Sequence, residues 1–185
     1  MLYEIIHLIV DFVGGLIVGA CLLRAWMQIM RIGGNNPLGV FVMGLTDWIV
    51  RPLRRLVPGY AGIDWASIIA AVVVTLLATT LDLSIRFAGV PPPDLLLVLT
   101  IVWLIKWTLY IALLLILIAA VLSWVNPFSP LLPFFDALTR PLLGPIRRVL
   151  PSAGRIDFSP LVAFLVIQVA LIVVNHVAGR VLGMG

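Results

Sequence analysis

The chain carries very little charge. Of its 185 residues 11% are Asp, Glu, Lys or Arg while 63% are hydrophobic, and its mean hydropathy is +1.21. Soluble domains hold about a quarter charged residues, so the polar coat of a water-borne globule is missing and a lipid solvent is implied. Cysteine is reduced to Cys21, which excludes an internal disulfide framework and any CxxC metal or redox centre; inside an apolar run it is a small packing residue. The two histidines, His7 and His176, lie near opposite chain ends and are expected at headgroup level. HExxH, GxSxG, CxxCH and the Gly-rich turn plus Lys of a P-loop are absent. No catalytic residue, cofactor or metal is therefore expected, and the chain does not read as an enzyme. The N-terminus has Glu4 and Asp11 in place of the Lys or Arg of a signal peptide's first region, so a cleavable signal is not expected.

What is present is apolar length. Four stretches reach the roughly 20 residues needed to cross about 30 Å of hydrocarbon: about Leu8 to Met30, Trp65 to Ser84, Leu95 to about Trp124, and about Pro160 to Ala178. Asp64 is placed to cap the second helix. Ser159 and Pro160 read as a cap and first residue of the fourth. "GVPPPDLL" (89–96) breaks the chain before the third, with Asp94 as its cap. The segments 37–50 and 130–143 are apolar yet too short to span, which suits short amphipathic helices at the inner headgroup layer or re-entering the bilayer. Asp47/Arg51 and Asp136/Arg140 stand at i,i+4 with the acid first, the favourable order.

The chain also repeats itself. "PLRRLVPGYAGID" (52–64) returns as "PIRRVLPSAGRID" (145–157) at an offset of 93 residues. Pro37, Phe41 and Thr46 fall on Pro130, Phe134 and Thr139, and upstream Trp26 faces Trp124 after a five-residue change in loop length. Each half is span, amphipathic element, PxRRxxPxxxxID motif, span, giving an all-α integral membrane protein of four transmembrane helices in two parallel repeats, 1–89 and 90–185. Arg31, Arg51, Arg54 and Arg55 lie between spans one and two; Arg140, Arg147, Arg148 and Arg155 lie between three and four. Elsewhere between or after the spans stand only Arg86 and Arg180. The positive-inside rule then puts both motif segments in the cytoplasm and both termini on the periplasmic side of an inner membrane.

In the motifs, Pro52, Pro58, Pro145 and Pro151 are expected to fix turns at the membrane surface. Arg54, Arg55, Arg147 and Arg148 are the candidate contacts for lipid phosphates or an acidic partner. Asp64 and Asp157 are suited both to cap the following helix and to pair back onto the arginines. Within the spans, Asp11, Arg24, Asp82 and Lys106 are costly in hydrocarbon. Arg24 is expected to snorkel toward the inner surface, and Lys106 to face Asp11 or Asp82 or to snorkel outward. Gly15 and Gly19 have GxxxG spacing, a face another helix can approach closely.

"LTRPLLGPIRRVLPSAGRIDFSPLVAFLVI" (138–167) resembles the signature of the YggT family, small bacterial inner-membrane proteins with cyanobacterial and plastid relatives, and "SWVNPFSP" (123–130) is similar to that family as well. The first copy departs from the signature, with Ala66-Ser67 where the second has Ser159-Pro160. The resemblance implies the two-repeat form over nearly the whole chain. It also implies links to osmotic-stress tolerance, to cell division or nucleoid organisation, and in plastids to maturation of a membrane cytochrome. It brings no chemistry and no catalytic residue. The expected function is a non-enzymatic scaffold or assembly factor that presents its motifs to membrane lipids, a membrane-protein partner or a second copy, with no nucleic acid as direct ligand. The alternative is a small channel or transporter subunit, marked by Asp11, Thr75, Asp82, Lys106 and Gln168 lining one path.

Overall fold

The computed structural model describes residues 2–34, 36–60, 62–87, 89–149 and 157–182, and its regular structure there is all helical. The helices are α1 (Leu2–Ile29), α2 (Pro37–Leu56), α3 (Trp65–Phe87), α4 (Pro93–Val125), α5 (Leu132–Val149) and α6 (Ser159–Val181). Pro151 of the second motif falls outside the described residues. α1, α3, α4 and α6 each contain a window long and apolar enough to cross a membrane. Between 17% and 33% of each window is buried within the protein, so most of that apolar surface needs lipid to cover it. α4, with 33 residues, is about 50 Å long at about 1.5 Å per residue and outruns the hydrocarbon core.

The chain folds as two compact units, Met1–Thr108 with Val177–Gly185, and Leu109–His176. In the first, α1 packs against α3 and α2, and α2 against α3. The core is made of small side chains. Val18 and Cys21 of α1 meet Ala66, Ala70 and Ala71 of α3 and Val50 of α2, with Leu104 and Trp107 of α4 against them. Alanines every turn let helix backbones approach closely, which in lipid is where association energy comes from. Gly15 does the same for α4, since a Cβ there would stand 1.9 Å from the Trp107 ring. At Gly15, the glycine face read from the sequence is thus occupied from within the chain. In the second unit, Ile116 of α4, Leu143 of α5 and Ala163, Ile167 and Leu171 of α6 form the core.

Local chemistry explains most boundaries. Asn36 accepts the Gly39 N–H at 2.8 Å and Pro37 opens α2 where no N–H is needed. Asp64 caps α3, accepting the Ser67 hydroxyl at 2.7 Å and its N–H at 3.4 Å. Two expected caps are corrected. α4 begins at Pro93, so Asp94 sits inside the first turn, where it meets the positive helix end. Ser159 is the first residue of α6, and Asp157 accepts its N–H at 2.8 Å.

The motifs are also more helical than expected. α2 runs through Pro52 to Leu56, and α5 through Pro141 and Pro145 to Val149, so Pro52 and Pro145 lie inside helices and do not fix surface turns. A proline deletes one i→i−4 bond and bends the helix, and two of them four residues apart act on one face. The bend is large. Eleven residues of straight helix rise about 16 Å, beyond the joint reach of an aspartate and an arginine, yet Asp136 Oδ1 lies 3.1 Å from Arg147 Nη1. Arg147 therefore takes the carboxylate that the i,i+4 pattern gave to Arg140, whereas Asp47 and Arg51 do pair, at 2.7 Å.

Candidate functional site

Four charged residues of the first unit, Arg24, Asp47, Arg54 and Asp64, converge where α1, α2 and the start of α3 meet. A tight turn, with Ile63 N–H donating to Tyr60 O and Gly62 at φ 79°, brings the end of α2 beside the start of α3. Asp64 is 1% exposed and accepts from Arg54 of α2 and from Ser67. Arg24 of α1 enters from the other side. Its Nη1 donates to Thr46 Oγ1 and Asp47 Oδ1, both at 2.8 Å, and its Nε lies 3.6 Å from Asp64 Oδ2. With 7% of its surface exposed, Arg24 does not snorkel, contrary to expectation. A guanidinium held by two carboxylates and a hydroxyl avoids the cost of an unpaired buried charge, and α2 supplies two of those three groups. Burial pushes the Asp47 carboxyl up, but hydrogen bonds and attraction from Arg24 and Arg51 outweigh it, and its pKa ends below the ordinary value. Beside this cluster, Arg24, Gln28 and Arg31 help line a cavity of about 270 Å³.

The second unit holds a looser version. Arg147 donates through Nε to Asp157 at 2.9 Å and through Nη1 to Asp136 at 3.1 Å. These side chains are 38–39% exposed. Burial raises the Asp157 carboxyl, but hydrogen bonds from Ser159 and then Arg147 bring it below its usual range. A cavity of about 340 Å³ opens here, with Ser123, Trp124, Asp136, Arg147 and Asp157 among its walls.

Each arginine pair is thus divided. Arg54 and Arg147 turn onto carboxylates, while Arg55 and Arg148 are exposed and form no ion pair with the described residues. Pro58 follows the end of α2, and Pro160 is buried in the first turn of α6.

The intramembrane charges group differently from the expected pairs. His7 Nδ1 lies 2.8 Å from Asp82 Oδ1, and its Nε2 3.5 Å from Asp11 Oδ2. Lys106 forms no ion pair with the described residues; its ammonium lies 4.1 Å from the centre of the Trp103 ring, a cation–π contact. The contact of His7 with Asp82 joins two helices, whereas sequence spacing offers only Glu4, three residues away, and Asp11, four away. Asp11, Thr75 and Asp82 share a cavity of about 20 Å³, whereas Gln168 belongs to the second unit. Among the described residues no group of His, Cys, Asp and Glu is arranged to hold a metal.

Comparison with known proteins adds a family and no activity. The CCB3/YggT family profile matches residues 3–85 and 98–178. The chain is 33% identical over 174 residues to the uncharacterized protein PA0392 of Pseudomonas aeruginosa, covering 92% of this chain and 88% of that one. It is 38% identical over 156 residues to the uncharacterized protein YggT of Escherichia coli K12, covering 80% and 77%. An uncharacterized protein encoded in the proC 3′ region of Vibrio alginolyticus is 35% identical over 164 residues, covering 88% and 86%. No solved structure matches. Neither these names nor the site residues point to catalysis. With four membrane-length helices, a family profile matched over most of its length and relatives above 30% identity, the chain belongs to the CCB3/YggT family.

Proposed function

We propose that this protein is a non-enzymatic, multi-pass protein of the inner membrane, a scaffold or assembly factor built from two parallel repeats, 1–89 and 90–185. The repeat has support beyond the motif. α2 and α5 end 93 residues apart, at Leu56 and Val149. At the same offset the core residues Val50 and Ala70 fall on Leu143 and Ala163, and Val74, packed against that core, falls on Ile167; at the Trp26/Trp124 offset Val18 falls on Ile116. α2 and α5 serve as amphipathic interfacial helices: α2 buries Gly39, Val42, Thr46 and Val50 along one side and carries Asp47, Arg51, Arg54 and Arg55. The arginine-rich segments face the cytoplasm and both termini the periplasm.

The observation that carries this function is the division of each arginine pair. One arginine of each pair closes the fold. The other, Arg55 or Arg148, is exposed and offers its charge to anionic lipid or an acidic partner. Near an anionic leaflet such a charge contributes about 1 kcal/mol, so two together give a modest, salt-sensitive attachment. A small channel used under osmotic stress, the competing reading, gains from the cavity shared by Asp11, Thr75 and Asp82. At about 20 Å³ that cavity takes roughly one water, which is no path.

The test uses positions 55 and 148. Cysteines placed there should react only with reagents that reach the cytoplasm. The double Arg55→Gln, Arg148→Gln variant should insert and fold like the parent while membrane-partner crosslinking and in-cell function fall. Reaction from the periplasm, or unchanged crosslinking and function in the double variant, would remove the basis of the proposal.

A further inference from the structure

The cavity of about 270 Å³ in the first unit is lined by Arg24 and Gln28, one turn apart on α1, and by Arg31 just beyond the end of that helix. We propose that it binds the phosphate group of an anionic phospholipid, with Arg31 as the residue that grips it. The inference takes from the proposed function only the cytoplasmic placing of this end of α1. It uses neither Arg55 and Arg148 nor the repeat.

Charge favours an anion here. Residues 24–64 hold five arginines and two aspartates, all of them described. Asp47 is taken by Arg24 and Arg51, and Asp64 by Arg54 with Arg24 facing it. The other acids of this unit, Glu4, Asp11, Asp82 and Asp94, belong to the first half of α1, the end of α3 and the start of α4, which is the opposite end of these helices. No carboxylate stands among the described walls of the cavity. Arg31 is exposed, and neither its side chain nor that of Gln28 forms a hydrogen bond or ion pair with the described residues.

The backbone holds Arg31 in place. α1 closes with Ile32 N–H donating to Met27 O and Arg31 N–H to Gln28 O, both at 2.9 Å, a pattern whose left-handed position glycine usually fills. Arg31 fills it here at φ 55°, the one such non-glycine among the described residues, although Gly33 and Gly34 follow at once. The turn is then locked onto α2. A Cβ on Gly39 would stand 2.6 Å from Gly34 O, and one on Gly34 2.0 Å from Met43 Cε.

The rest of the wall favours a lipid over a free phosphate. Met27, Ile32, Val42 and Met43 make it apolar, and on α2 beside it Val40, Phe41 and Trp48 are exposed. A phosphate that carries acyl chains covers these side chains, whereas a free one leaves them bare. A guanidinium fork can hold two phosphate oxygens at once, and the cytoplasmic leaflet supplies anionic headgroups.

The test is native mass spectrometry of the purified full chain, released from neutral detergent micelles holding equal amounts of phosphatidylglycerol and phosphatidylcholine. It is run in the Arg55→Gln, Arg148→Gln background, so the arginines of the proposed function do not contribute. Single-lipid adducts should favour phosphatidylglycerol roughly fivefold, the effect of one arginine charge near an anionic surface. Arg31→Gly should bring that ratio close to one while the unfolding temperature holds or rises, because glycine suits the φ of this position. Arg31→Gln should lose the preference equally, and Arg31→Lys should keep part of it. Equal adducts of the two lipids before Arg31 is changed overturn the proposal, as does a preference that survives Arg31→Gly or Arg31→Gln. Displacement of phosphatidylglycerol by millimolar inorganic phosphate overturns the lipid and makes the ligand a free phosphate.

Discussion

Replacing Arg24 by methionine keeps the apolar stem of the side chain while removing the guanidinium. Asp64, 1% exposed, would then have Arg54 as its one cationic partner among the described residues, and Thr46 and Asp47 would each lose a donor held at 2.8 Å. Breaking a buried ion pair from one side costs about 3–5 kcal/mol. The comparison is Arg147→Met, which removes two ion pairs whose side chains are 38–39% exposed; exposed pairs contribute about 0.2–1 kcal/mol each. The two variants should therefore differ by at least about 1 kcal/mol on these scales, although both remove an arginine from the same kind of cluster. Equilibrium unfolding in mixed detergent–dodecyl sulfate micelles, followed by tryptophan fluorescence, measures both. Adding Asp47→Asn to Arg24→Met should recover part of the loss, because a stranded carboxylate goes with its partner. Equal costs for the two variants, or a cost below about 1 kcal/mol for Arg24→Met, would refute the assignment of Arg24 as a buried structural ion.

Two further outcomes are expected from the same measurement. Gly15→Ala should destabilise by about 1–3 kcal/mol as an overpacked core position, because its Cβ would stand 1.9 Å from the Trp107 ring; Trp107→Leu should suppress the defect, and a neutral Gly15→Ala would contradict the packing. The carboxyls of Asp47 and Asp157 lie below their ordinary values when folded, so their stabilisation is complete above the unfolded value of about 3.9 and is lost as pH falls through the folded value. Stability should be level from neutral pH down to about 5 and fall below about 4, and Asp47→Asn with Asp157→Asn should flatten that acid limb.

The spans were legible because twenty apolar residues admit few fates, and each lies within a few residues of its expected place. Asp64 as a cap was legible too, since a cap is a local event between Asp64 and Ser67. The fate of Arg24 was not. An arginine near the end of a span reaches water as easily as it finds a partner, and its acids lie 23 and 40 residues away. The pairing of His7 with Asp82 was hidden for the same reason. Helix continuation through Pro52 and Pro145 is misread because proline is a local breaker, whereas the force that keeps the backbone helical comes from the buried face of each element. The motif arginines were legible as a pair but not as two different side chains: spacing shows that Arg54 and Arg55 are neighbours, and only the fold shows that they point to different ends.

The long α4 has a consequence for how this chain is made and how it can be divided. Its first half supplies Leu104 and Trp107 to one core, its second half supplies Ile116 to the other, and no break separates them. A cut between the two compact units would sever a helix inside the bilayer, leaving two stumps of about half its length, each too short to span. Fragments that reassemble must instead both carry α4, or be cut outside it. During synthesis, likewise, the first three helices stay short of their full packing until the ribosome has released residues that also begin the second unit. The two compact units are thus inseparable in manufacture.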